Sequence, residues 1–308
     1  MNPTLGASMH STLLYITTLI IRHLNIIVHS SACYLLALIR KTETPVSPQL
    51  LYISSLNILE LIRNIVPIPM MVCKLVGSRL LSLVRPYLLL NLQVTLESLF
   101  YVSMILLTVD RLLVVILGAD YSGYCTERSA KYVTYGAWFV SLTAGLVVCL
   151  LYTLGLIPFQ LHPYIHYVHL AFDVVFIIVA VPTYVSLIRW FMEAQSRRRH
   201  PEHSNNREIN FRLLTQSYLV ESILIITSFV GFILITDVVD LVYHFAGIKA
   251  PIIWADVRLL LFALSDLFDG GIYVLMNSRV REALMKRLRG CCQCHCRRIS
   301  SGVNESTP

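Results

Sequence analysis

Charge is what this sequence has least of. Asp, Glu, Lys and Arg make up 14% of its 308 residues, against roughly 25% in ordinary globular domains. Apolar residues make up 56%, more than a water-soluble fold of this length could hide. Length alone would allow two soluble domains, but the composition overrules that. The chain is expected to be integral to a membrane, with its core formed between helices. A cleavable leader is also missing: residues 1–10 have no basic start, and no small-residue cleavage site precedes the first apolar run. The first helix is therefore expected to act as its own insertion signal. The eight cysteines do not frame disulfides. Cys33 and Cys149 sit in apolar runs, Cys125 in a polar loop, and Cys291, Cys292, Cys294 and Cys296 crowd the tail; Cys73 alone is expected outside, without an obvious partner. No nucleophile–base pair or phosphate loop stands outside the apolar runs, so no enzyme is expected. No aromatic-plus-basic platform supports nucleic-acid binding. The net charge of +7 lies beside apolar runs, at Arg197, Arg198 and Arg199 and within 279–298. There it is expected to set topology and to meet anionic lipid.

Against those absences stand seven apolar segments. The third is the clearest: residues 87–109 carry one charged side chain, Glu97, and then meet Asp110-Arg111. About 23 residues at ~1.5 Å each cross the ~30 Å of hydrocarbon, which places the Asp-Arg pair where the helix leaves the bilayer; the stretch runs on to Val115, and its exit loop is 118–128. Segment one, 11–39, is interrupted by Arg22 and His23, so a charge faces the interior or snorkels outward. Segment two, 49–73, holds Glu60 and Arg63 three apart on one helical face, close enough to neutralise each other; Pro67 and Pro69 kink its far end. Segment four is 132–156 with Trp138, and segment five is 170–191 with Pro182 inside it. Asn205 and Glu208 have N-cap spacing, so segment six starts near Asn206 and runs to about Tyr243. That is longer than a bilayer needs, and its inner end should project into the cytoplasm. Segment seven is 252–276. Residues 277–289 read as a short amphipathic helix with Val280, Leu284 and Leu288 on one side. Lys and Arg concentrate after segments one, three, five and seven, which puts the amino terminus outside and the tail in the cytoplasm.

These segments resemble the rhodopsin-like (class A) G-protein-coupled receptors across about 11–289. Asp110-Arg111-Leu112 sits where that family has Asp-Arg-Tyr, Trp138 where it has its span-four tryptophan, and Pro182 where span five has its proline. Asp269-Gly270-Gly271-Ile272-Tyr273 resembles the Asn-Pro-x-x-Tyr that ends span seven. The resemblance implies an all-α membrane protein, a seven-transmembrane helix bundle with a short amphipathic eighth helix. Its parts would be an extracellular amino terminus (1–10), a receptor domain (11–277), a membrane-surface helix (278–290) and a cytoplasmic tail (291–308). It further implies a plasma-membrane location, an unidentified extracellular agonist bound between spans three, five, six and seven, and a heterotrimeric G protein at the inner face. Two alternatives stay open. One is an ion-coupled seven-helix transporter or channel using Glu60, Glu97, Asp266 and Asp269, although no internal repeat is present. The other is a receptor-like scaffold that no longer signals.

The resemblance also assigns roles. Asp110, Arg111, Asp269 and Tyr273 would form the activation switch. A guanidinium is always charged and carries five donors; held by Asp110 it is neutralised, and released it can reach a partner's carbonyls. The plainer reading of Asp110-Arg111 is a topology-setting cation beside its counter-ion. Spans two and seven are neighbours in the family, so Glu60, Asp266 and Asp269 would share a polar interior. There they must share protons, pair with Arg63, organise water or bind a cation such as sodium. Gln93 and Glu97 stand where family ligands often bind. Ala263 occupies the retinal-lysine position and the span has no Lys, so opsin chemistry is excluded and no cofactor is expected. His162, His166 and His169 are read as an outer lid rather than a metal site. Cys291, Cys292, Cys294 and Cys296 are read as palmitoylation sites rather than a zinc cluster. The family's span-six Cys-Trp-x-Pro is absent from 228–234. Labelling of introduced cysteines in intact cells is expected to place the ends flanking Arg111 and the cysteine-rich tail on the same face of the membrane.

Overall fold

The first helix is built inside out. In the computed structural model, α1 (Pro3–Thr42) buries Tyr15, Thr18, Arg22, Asn25, His29, Ala32 and Leu36. Their alternating spacing of three and four is one face of an α-helix. The other face, with Leu13, Ile16, Ile20, Leu24 and Ile27, is exposed. Water would punish that arrangement, whereas hydrocarbon requires it. The structure describes residues 3–42, 48–76, 86–117, 120–154, 156, 164–197, 220, 224–225, 227–276, 280–282 and 284–286.

The elements that follow are all helical, and no strand occurs among the described residues. They are α2 (Pro48–Ile65), α3 (Ile68–Val76), α4 (Pro86–Leu117), the single-turn α5 (Tyr121–Tyr124), α6 (Glu127–Thr153) and α7 (Tyr164–Arg197). A π-helical turn (Phe229–Leu234) then leads into α8 (Ile235–Phe245), and α9 (Ile252–Met276) closes the set. Local chemistry explains the breaks. Pro67 has no N–H to give, and the helix interrupts at Val66–Pro67 between α2 and α3. Gly247 at φ 64° ends α8. Its N–H reaches the His244 carbonyl at 3.2 Å while Ile248 N–H reaches that of Tyr243 at 3.1 Å, the paired closure that glycine permits. Pro182 lies inside α7 on an exposed face, and the helix runs through it.

Four stretches are each long and apolar enough to cross a membrane: Ser11–Lys41, Pro48–Cys73, Leu92–Leu117 and Ala171–Arg189. Ile253–Leu275 and Val280–Lys286, bent by 76°, make a fifth if counted together. The chain is thus an all-α, multi-pass membrane protein. Central in it is α4, which packs against α2, α6 and α7, while α1 lies along α2 and α9. Leu99, Phe100 and Met104 of α4 sit at the heart of the apolar core with Phe176, Phe229 and Tyr273.

The helix bounds bear on two of the expected spans. Helix α1 begins at Pro3, ahead of the expected span, while the stretch fit to cross a membrane starts at Ser11. Helix α4 continues to Leu117, just before the expected exit loop at 118–128, so Asp110 and Arg111 lie two turns inside the helix; nothing in 112–117 can break a helix. Val280 is buried and Leu284 packs on the core while Arg281 and Lys286 are exposed, the split expected for the amphipathic segment. The segment-six start near Asn206, Arg198, Arg199, His162 and the cysteines Cys291, Cys292, Cys294 and Cys296 lie outside the described residues. So do the side chains of His166, His169 and Arg197.

Helices α1 and α9 pack tightly at Gly270. A methyl group there would meet Val28 Cγ1 at 2.8 Å and His29 Cε1 at 2.9 Å, whereas one at Gly271 meets nothing within 4 Å. Gly270→Ala is expected to destabilise the protein by about 1–3 kcal/mol and Gly271→Ala to leave it unchanged, read as unfolding midpoints in nanodiscs.

Candidate functional site

Two polar clusters lie inside the bundle. The first joins α1, α2 and α9. On α1 the inward stripe supplies Arg22, Asn25 and His29; α2 supplies Asn57, Glu60, Arg63 and Asn64; α9 supplies Asp266 and Asp269. Arg63 Nη1 stands 3.4 Å from Asp266 Oδ1, and its guanidinium lies over the Phe100 ring, 4.2 Å from the centroid, where the ring's negative face attracts a cation. Asn64 Nδ2 donates to Asp266 Oδ2 at 2.9 Å, and Asn25 Nδ2 donates to Asn64 Oδ1 at 2.9 Å and to the Ala263 carbonyl at 2.8 Å. Arg22 Nη1 donates to the Arg63 carbonyl at 3.2 Å.

Glu60 is at the bottom of this cluster, 0% exposed. Neither of its oxygens has a hydrogen-bond partner of good geometry among the described residues. His29 Nδ1 is 3.2 Å from Glu60 Oε2 and 3.0 Å from Asn57 Oδ1. His29 Nε2 is 2.9 Å from the Asp266 carbonyl oxygen. A neutral imidazole carries one N–H, so both sides of this ring are satisfied only if a second proton sits on His29 or on Glu60. Asp269 adds its charge beside Glu60 and is within reach of the Ser228 and Ser265 hydroxyls. The structure therefore brings Glu60, Arg63, Asp266 and Asp269 together, with Arg63 beside Asp266 and Glu60 beside His29. Gln93 Nε2 donates to Glu97 Oε1 at 2.9 Å. This pair borders the same cavity as Arg22, Arg63 and Asp266, a space of about 10 Å³, enough for a single water.

The second cluster joins α4, α7, α8 and α9 at the end of the bundle where α9 begins. Tyr101 donates its hydroxyl to Asp237 Oδ2 at 2.9 Å. Arg258 forks between Asp237 Oδ1 at 3.2 Å and Asp240 Oδ2 at 2.5 Å, and Trp254 Nε1 donates to Asp240 Oδ1 at 2.5 Å. Asp173, 0% exposed, faces this group from α7. Sequence reasoning singled out none of Asp173, Asp237, Asp240 and Arg258. The available signal was a lone carboxylate in an apolar run, with Asp237 and Asp240 a helical turn apart. Ser11 of α1 also donates its hydroxyl to Asp256 of α9.

The Asp110-Arg111 pair is separate from both. Arg111 is 1% exposed and Asp110 4%. Asp110 accepts the hydroxyl of Tyr121, which stands on α5 just past the end of α4. Burial and the Asp110 carboxylate raise the Tyr121 hydroxyl well above its usual range, which keeps it the donor. The same two causes push the Cys125 thiol upward. Tyr273 is buried in the apolar core, and Trp138 Nε1 ties α6 to α2 through Ser55 Oγ at 2.7 Å. Among the described residues no group of three His, Cys, Asp or Glu side chains is placed to hold a metal ion. In comparison with known proteins, the chain matches no family model and no curated sequence.

Removing one side of a buried ion pair strands the other charge. Arg63→Met is expected to lower stability by about 3–5 kcal/mol. The double change Arg63→Met with Asp266→Leu should recover most of that loss in the same unfolding measurement.

Proposed function

We propose that the chain is a divergent receptor of the rhodopsin-like kind. It would thread the plasma membrane seven times with its amino terminus outside and pass an extracellular signal to a heterotrimeric G protein. The observation that carries this reading is the buried Arg111, whose neighbour Asp110 is held by Tyr121 from the connecting turn. A guanidinium kept from solvent, beside a carboxylate latched by a hydroxyl, is a charge that a partner could uncover. Agonist would favour an arrangement in which Tyr121 lets go of Asp110 and Arg111 meets the partner's carbonyls. Such coupling is a difference in affinity between two states, so the G protein raises agonist affinity by the same factor. The π-helical turn at Phe229–Leu234 supports a hinge in segment six, where the family's proline is missing. Glu60 and Asp269 would sense that movement through water or a cation such as sodium. Lipid would meet the exposed apolar faces and, through acylation, the tail cysteines.

The line of buried carboxylates from Asp173 and Asp237 to Glu60 and Asp269 also suits an ion path. Proton or sodium flux into proteoliposomes holding this protein alone would favour the transporter. For the receptor, nucleotide exchange on a panel of G proteins is the measurement. Arg111→Ala is expected to reduce exchange roughly tenfold, and Tyr121→Phe to raise the basal rate by loosening Asp110. Wild-type exchange from Arg111→Ala would sink the assigned role.

A further inference from the structure

We infer that the second cluster is a proton-binding site, in which the Asp173 and Asp237 carboxyls hold one exchangeable proton between them. The proton comes from solvent at this end of the bundle, and its presence makes the packing of α7 on α8 depend on acidity. What that response would achieve rests on the receptor reading above; the site does not.

Donor counting carries the inference. Asp173 is 0% exposed, and its carboxyl lies within hydrogen-bond reach of the Asp237 carboxyl and the Tyr101 hydroxyl. An ionised carboxylate only accepts, so two of them in contact repel unless a hydrogen stands between them. The other donors are committed. Tyr101 gives its hydroxyl to Asp237 Oδ2 at 2.9 Å, Arg258 forks between Asp237 and Asp240, and Trp254 Nε1 serves Asp240. Those bonds stabilise the negative charge on Asp237 and Asp240, which leaves the proton to Asp173. Arg258 also stands in the fields of Asp173 and Glu97, and Arg63, which acts on Glu97 and Tyr101 as well, is taken by Asp266. On α7 itself His166 and His169 precede Asp173, their side chains outside the described residues.

The same carboxyl is set among the contacts that seat α7. Phe172 stacks on Tyr101 with centroids 5.7 Å apart and planes 7° off parallel, and Phe176 lies 4.3 Å from Phe229. In acid, hydronium gives its proton to Asp173 and leaves as water, and α7 can close on α8. In alkali, water takes the proton back, and two negative charges face each other across the two helices. A proton needs a path rather than a cavity: Asp240 at 12% and Arg258 at 19% exposure reach the surface.

The test uses the full chain in nanodiscs, titrated between about pH 8.5 and 5.5. Infrared difference spectra are expected to show a protonated-carboxyl carbonyl band that grows with acid and is missing in Asp173→Asn. Tyr101→Phe, which removes the hydroxyl beside this pair, should move the band. Glu60→Gln and the double change His166→Gln with His169→Gln should keep it. The folded pair holds a proton that the unfolded chain releases, so the unfolding midpoint should rise as pH falls. The part of that rise lost in Asp173→Asn, whose amide donates to Asp237 at any pH, should be roughly 2 °C per pH unit. No acid-dependent band, a band that survives Asp173→Asn, or one that vanishes with Glu60→Gln or with the histidines would overturn the proposal. If Asp173→Asn does not fold, the wild-type band decides through its response to Tyr101→Phe, and indifference overturns the site. A pair that titrates in a chain driving no nucleotide exchange at either end of the range keeps the site and removes the receptor reading. Exchange from a chain that shows no such band does the reverse.

Discussion

Hydrocarbon neither donates nor accepts a hydrogen bond, and the position of nearly every charged side chain described here follows from that. Arg22, Arg63, Glu60, Asp266 and Asp269 are within the bundle because no other place between the two membrane surfaces could satisfy them. Once inside, they need one another. The Arg63–Asp266 pair contributes little net stability compared with a well-packed apolar pair. With the Asn25–Asn64 hydrogen bond, it ties α2 to both α1 and α9 at defined positions on each helix. Gly270 then lets α1 and α9 come close enough for His29 to reach the Asp266 carbonyl.

The two clusters share a single rigid element. Along α9, Arg258, Phe262, Asp266, Asp269 and Tyr273 fall on one face at spacings of three and four. Arg258 lies over Phe262 at 5.1 Å, and Phe262 borders the cavity shared with Arg63 and Asp266. A small rotation of α9 would therefore disturb the carboxylates at both levels together. That is a mechanical link through one helix, and it asks for no longer chain of contacts.

Much of this was legible in the sequence, for identifiable reasons. Proline chemistry located the break after α2, and the 3–4 spacing of Val280 and Leu284 marked the buried side of the segment after α9. The carboxylates of segments two and seven stood out because each interrupts a long apolar run. Whether Arg22 or His23 turned inward was left open. The structure turns Arg22 inward because it shares a face with Asn25 and His29, and His23 bonds its own helix at the Leu19 carbonyl. Reading that polar stripe as the interior would have added His29 to the site. The second cluster was illegible because Asp173, Asp237 and Arg258 meet across more than eighty residues, and no local pattern encodes their meeting. The end of α4 was legible as well, because Gly118 is the first residue after Asp110-Arg111 that disfavours a helix. Four spans, or five with the bent pair, are evident in the described helices.

Phe229–Leu234 looks like any other greasy helical stretch, yet it winds more loosely than its neighbours. A π turn accommodates one residue more than an α turn, which sets everything downstream back by about 100° relative to an uninterrupted spiral. Deleting one residue there would leave a sequence just as apolar and just as helical. It would also swing Asp237 and Asp240 off Arg258 and towards the acyl chains. In this stretch the number of links matters alongside the identity of the side chains: Phe229 and Ile233 fill the core, and the extra residue sets the rotation of all that follows.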